Sequence, residues 1–178
     1  MRAAHVQHAR YAVLHWAARA GHQSFVARLI DAGVPFDSRF SQMGTALTEV
    51  VQGGHTCVVQ DLLAAGADVN KIVKCSASNG TRTSGGYVGF TPLGIAVHKN
   101  DEEMVKVLLE AGADPSKGSK HNLPLCMAAS QGSCVILKGL LSAGASVHPV
   151  DIQGHSALYL ACAYNQHDAV RLLLRHKA

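Results

Sequence analysis

Thr91-Pro92-Leu93-Gly94-Ile95-Ala96-Val97 is followed by a second phrase, Glu110-Ala111-Gly112-Ala113-Asp114, and both recur along the chain. The first returns in Leu14-His15-Trp16-Ala17-Ala18-Arg19-Ala20-Gly21-His22 and in Thr45-Ala46-Leu47-Thr48-Glu49-Val50-Val51-Gln52-Gly53-Gly54-His55. It returns again in Leu123-Pro124-Leu125-Cys126-Met127-Ala128-Ala129 and in Ser156-Ala157-Leu158-Tyr159-Leu160-Ala161-Cys162. The anchor leucines 14, 47, 93, 125 and 158 step by 33, 46, 32 and 33 residues. The second phrase gives glycines 33, 66, 112 and 144, which step by 33, 46 and 32. Two independent anchors share one spacing, so the chain is periodic at 33 residues, with 13 extra residues in one unit. A fixed period of this size signals stacked supersecondary units.

Each unit reads as helix, tight turn, helix and loop. Thr91 is placed to cap free N–H groups, and Pro92 suits a first helical turn. The Gly-His pairs at 21–22 and 54–55 end the first helix of their units. Val105, Leu108 and Leu109, like Val170, Leu173 and Leu174, stand at helical spacing on the second. The closing glycines fall where a left-handed residue ends a helix cheaply.

These two phrases in register resemble the ankyrin repeat family. The resemblance implies an all-α repeat, an ankyrin solenoid of stacked helix-turn-helix units with β-hairpin or loop fingers. It covers nearly all 178 residues as a single domain. Repeats are expected at about 8–37, 41–70, 87–115, 119–148 and 151–178, with an inserted loop at about 71–86. The first unit departs from the pattern with Ala12-Val13 in place of Thr-Pro. The last has Asn165-Gln166 in place of Gly-His. Its second helix keeps an interior pattern, Ala169-Val170-Arg171-Leu172-Leu173-Leu174. Further repeats or another domain beyond Ala178, or self-association through Leu172 and its neighbours, are therefore expected.

Composition narrows the classes of function. Apolar residues make up 48% and charged residues 16%, which excludes a disordered chain. The net charge of +4 is too small for a dedicated nucleic-acid face. No apolar run reaches the ~20 residues of a membrane span, and no secretory signal opens the chain. Five cysteines without a Cys-x-x-Cys do not make a disulfide framework. Four of them fall within helical units and are expected to be buried, whereas Cys75 lies in the inserted loop. A reduced chain in the cytoplasm or nucleus is expected.

Motifs for chemistry are missing. The segment from Gly112 to Lys120 lacks the order of a phosphate loop, and neither G-x-S-x-G nor H-E-x-x-H occurs. Zinc needs convergent ligands, but His5 and His8 have no second pair beside them. No catalytic residue, metal site or cofactor is expected. His15, His22 and His55 take recurrent positions and read as architecture.

The resemblance implies a groove lined by first helices and fingers. Residues two, five and six beyond each anchor leucine should face it. Partner contact is thereby expected from Trp16, Arg19, Glu49, Gln52, His98, Lys99, Gln131 and Tyr164, with Lys74, Arg82, Tyr87, Phe90, Lys120 and Gln153 from the fingers. Trp16, Tyr87, Phe90 and Tyr164 are aromatics at expected surface positions, and aromatics anchor interfaces. No acid lies between Asp68 and Asp101 or between Asp114 and Asp151, so the middle fingers should be positive.

The expected partner is another protein with an acidic or polar segment. Two rival roles remain. One is a recognition or regulatory arm of a larger enzyme or ubiquitin-ligase receptor, since Leu158–Tyr164 resembles units of ankyrin proteins carrying a SOCS box. The other is a nucleic-acid or oligonucleotide-sensing array, similar to the oligoadenylate-binding ankyrin domain of an RNase. Asn70 also resembles the hairpin asparagine that an oxygen-sensing hydroxylase modifies in some family members.

Overall fold

The computed structural model describes residues 2–37, 44–72, 89–119 and 121–177, with side chains from residue 9 onward. Among them are five helix pairs: α1 (Arg2–Ala20) with α2 (Gln23–Asp31), α3 (Ala46–Gly53) with α4 (Thr56–Ala64), α5 (Pro92–His98) with α6 (Glu102–Glu110), α7 (Pro124–Gln131) with α8 (Cys134–Ser142), and α9 (Ala157–Ala163) with α10 (His167–Arg175). The first helices contact one another in order and form an inner layer. The second helices form an outer layer in the same way.

Local chemistry sets these boundaries. Thr45, Thr91 and Ser156 each accept a hydrogen bond from the backbone N–H three residues on, which caps α3, α5 and α9. Unit four has Leu123 at this position and no side-chain cap. Unit one has helix-compatible Ala12-Val13 there, so α1 runs back to Arg2 instead of starting afresh. Gly33, Gly66, Gly112 and Gly144 close the second helices with positive φ. Next to them Val34, Ala67, Ala113 and Ala145 donate backward to the carbonyls of Leu29, Leu62, Leu108 and Leu140, the wrapped bond that ends a helix on a left-handed residue.

The core is one continuous cluster between the layers. Anchors Leu14, Leu47, Leu93 and Leu125 are buried within it, and Leu158 is half-buried. Each full burial of such a side chain contributes about 1.5–3 kcal/mol. Ala17, Ala18, Ala128, Ala129 and Ala161 are buried where the inner helices approach each other.

Two expectations are corrected here. Leu172 is buried, with 8% of its surface exposed, because it turns inward onto the stack. Leu174 is the exposed apolar residue of α10. The helical cysteines are not uniformly buried: Cys126 is, Cys134 is half-buried, and Cys57 and Cys162 are exposed. Cys75 lies outside the described residues.

Candidate binding surface

Successive units are tied by a ladder at the end of the inner helices. The carbonyl five residues beyond each anchor accepts from the following unit. His55 Nε2 lies 3.0 Å from the Arg19 carbonyl oxygen. Lys99 Nζ donates to Gln52 at 2.6 Å, Gln131 Nε2 to His98 at 3.0 Å, and Gln166 Nε2 to Ser130 at 3.2 Å. Last-turn carbonyls of a helix lack internal partners, and here the neighbouring unit supplies them. Lys99 and Gln131, expected at the partner surface, are exposed and also rungs of this ladder.

A second ladder runs through the loops. Asp68 N–H donates to the Asp37 carboxylate at 3.2 Å, and Asp114 N–H donates to Asn70 Oδ1 at 2.8 Å. Asn70 Nδ2 also donates to the Gly112 carbonyl at 3.4 Å. Its whole carboxamide therefore bridges the second and third units.

Exposure sorts the expected contact residues. Trp16 is 64% exposed and Tyr164 63%. Trp16 leans on His22, with ring centroids 5.3 Å apart. Arg19, His98, Lys99, Gln131 and Gln153 are exposed, and Gln52 is half-buried. Together these give the inner layer an aromatic and cationic margin.

Glu49 is corrected from groove-facing to buried. Its Oε1 accepts from Gly44 N–H, and its Oε2 lies 3.6 Å from Arg19 Nη1. It acts inside the stack, as counter-charge to an arginine whose head stays at the surface. Ile95 is buried as well. Phe90 is likewise corrected from surface to core: it is 5% exposed and meets His98 edge-on at 5.7 Å. Lys74, Arg82, Tyr87 and Lys120 lie outside the described residues.

The last finger is a small hairpin, with Val150 and Ser156 joined in an antiparallel bridge. Asp151 holds it. Its carboxylate accepts from Gln153 N–H at 2.8 Å and His155 N–H at 2.9 Å. Its Oδ2 lies 3.4 Å from His155 Nδ1. The His155 backbone bond leads in holding the Asp151 carboxyl below its ordinary 3.8. The His155 ring stacks on Tyr159, with centroids 4.3 Å apart. Sequence alone did not mark Tyr159 as surface, because the residue after the anchor leucine is buried in the other four units.

Cys126 donates to the Pro149 carbonyl below this finger. Burial, aided by the Asp151 charge, pushes its thiol up to about 11. Among the described residues no group of three or more His, Cys, Asp or Glu is gathered to hold a metal ion. No described helix is long and apolar enough to cross a membrane.

Comparison with known proteins bears on this architecture directly. Residues 93–178 match the family model described as ankyrin repeats in three copies, and residues 14–63 the model described as ankyrin repeats in many copies. The chain belongs to the ankyrin repeat family. Its ankyrin units are similar to part of the glycerophosphocholine phosphodiesterase gde1 of Schizosaccharomyces pombe, 34% identical over 108 residues, which are 60% of this chain and 8% of that protein. They are similar to the ankyrin repeat and SOCS box protein 11 of Danio rerio, 33% identical over 128 residues, 71% of this chain and 39% of that protein. The E3 ubiquitin-protein ligase KEG of Arabidopsis thaliana is 36% identical over 107 residues, 58% of this chain and 6% of that protein. This ankyrin chain spans less than half the length of each of these three relatives. Ankyrin repeats are protein–protein interaction modules, and the inner-layer margin is the candidate surface.

Proposed function

We propose that this chain is a non-catalytic recognition module that holds a partner protein against its inner helices and fingers. The observation that carries this is the exposed aromatic pair at the two ends of the inner layer, Trp16 and Tyr164, with cationic Arg19 and Lys99 between them. Large aromatics left in water on a rigid scaffold are characteristic anchors of interfaces. The ladders supply the rigidity, so little ordering entropy is lost on binding. Positive charge on this margin steers an acidic or polar segment toward it and sets the on-rate more than the affinity.

A second role is supported by the names of the relatives. Two are ligase-associated or SOCS-box proteins and one is a phosphodiesterase, and the match covers a minor share of each. In that setting the module is the arm that brings a target to a larger protein.

The test is affinity capture from lysate with the parent chain and with Trp16→Ala/Tyr164→Ala. Both side chains are more than 60% exposed, so the variant should melt with the parent. A partner held by the parent and lost by the variant is the expected result. The same partners held equally by both would remove the inner layer as the binding surface.

A further inference from the structure

The outer layer carries a feature that neither ladder nor core explains. A groove of about 670 Å³ runs between α6 and α8. Val105 and Leu109 line one wall, and Val135 and Ile136 the other, with Gly139 between them. Val135 is 57% exposed. Glu102, Glu103 and Glu110 also line it together with one cation, Lys106, so the rim is net acidic on a chain whose net charge is +4.

Gly139 opens the groove. Five residues before the turn glycine, α4 has Asp61, α6 has Val107 and α8 has Gly139, and α10 has Leu172 in register with them. Nothing local demands glycine here. Gly139 is not among the positive-φ residues, and it sits inside a helix. A Cβ would meet only Leu109 Cδ1, at an ordinary 3.6 Å. An interior glycine weakens a helix relative to alanine, so the fold would be served better by a larger residue.

At the first junction the outer helices are bridged by side chains at these positions. There Gln23 Nε2 donates to Asp61 Oδ2 at 2.9 Å and spans from α2 to α4. The equivalent pair between α6 and α8 is Glu102 and Gly139, which cannot form that bridge. Lys106 pairs with Glu110 at 3.9 Å, both ends well exposed. Among the described residues Glu102 and Glu103 form no ion pair.

We propose that this outer groove is a second docking site, for a basic amphipathic segment of a partner protein. An apolar side chain of that segment lodges over Gly139, and its flanking cations meet Glu102 and Glu103. Apolar area supplies the attraction, and the acidic rim rejects segments of the wrong charge. This site is on the opposite layer from Trp16 and is independent of it.

The probe is a synthetic helical peptide with leucines at i, i+4 spacing and lysines elsewhere. Its control has glutamate for lysine. Binding to the whole chain is followed by backbone amide NMR shifts. The lysine peptide should shift amides of α6 and α8 saturably, and the glutamate peptide should not. Gly139→Leu should melt no lower than the parent yet bind about tenfold more weakly, the equivalent of about 1.4 kcal/mol. Glu102→Gln/Glu103→Gln should weaken binding as well, and Trp16→Ala should leave it unchanged. Shifts absent from α6 and α8, unaltered binding by Gly139→Leu, or equal binding of the glutamate peptide would each overturn the proposal.

Discussion

At Gly21 two physical demands meet on one residue. Its φ is +74°, a conformation that costs an L-residue roughly 1–2 kcal/mol. A Cβ there would also stand 2.5 Å from the His55 ring, which crosses from the next unit to reach the Arg19 carbonyl. Asn100 and Asn165 take the equivalent turn in units three and five with φ of 57° and 59°, so the backbone shape alone does not require glycine. What distinguishes Gly21 is the ring lying over it. Gly21→Ala should therefore destabilise the chain by more than the backbone cost, about 2 kcal/mol or above. Asn165→Gly, where the side chain makes no bond across units among the described residues, should not destabilise it. Urea unfolding of both variants checks this, and a Gly21→Ala loss no larger than the backbone cost of roughly 1–2 kcal/mol would mean the His55 ring moves aside freely.

At the scale of elements, the fifth finger is built around one carboxylate. Asp151 accepts from the backbone of its own hairpin, and this holds its carboxyl below the ordinary value. A carboxyl depressed in the folded state contributes stability that is present above its unfolded value. That contribution is lost as pH falls through the folded value. Finger five should therefore be intact at neutral pH and loosen below about pH 3.8. Amide shifts of Gln153 and His155 followed by NMR from pH 6 downward should report it, and Asp151→Asn should remove the transition. Persistence of the transition in the variant would assign it to another group. The same contrast between local and tertiary causes explains what the sequence disclosed. Caps such as Thr91 and stops such as Gly112 act within a few residues, so spacing alone exposes them. Glu49 and Phe90 were misplaced because their burial depends on Gly44, Arg19 and His98 coming near in space. The α6–α8 groove was illegible for a like reason, since Gly139 shows an opening only when Leu109 and Glu102 stand beside it.

Across the whole molecule, stability is a sum of units and the contacts between neighbours. The burial pattern shows the direction of that dependence. His15, Thr48, Gly94 and Cys126, each one residue beyond an anchor, are buried, whereas Tyr159 is 54% exposed. Ala18, Val51, Val97 and Ala129 are buried four residues beyond, whereas Cys162 is exposed. Leu63, Leu109 and Leu141 are half-buried where Leu174 is 56% exposed. Among the described residues unit five is thus covered on one side only, and the Gln166–Ser130 rung joins it to unit four. A quasi-linear stack opens first where a unit has fewest neighbours. Native-state hydrogen exchange should accordingly show lower opening free energies for amides of α9 and α10 than for α5 and α6. Gln166→Ala should widen the gap by about 1 kcal/mol, the typical net worth of one such hydrogen bond. The loss should be confined to α9 and α10, because α5 and α6 keep both their neighbours. If α5 and α6 lose protection equally with α10, opening is global, and the units act as one cooperative block in which a single rung has no local effect.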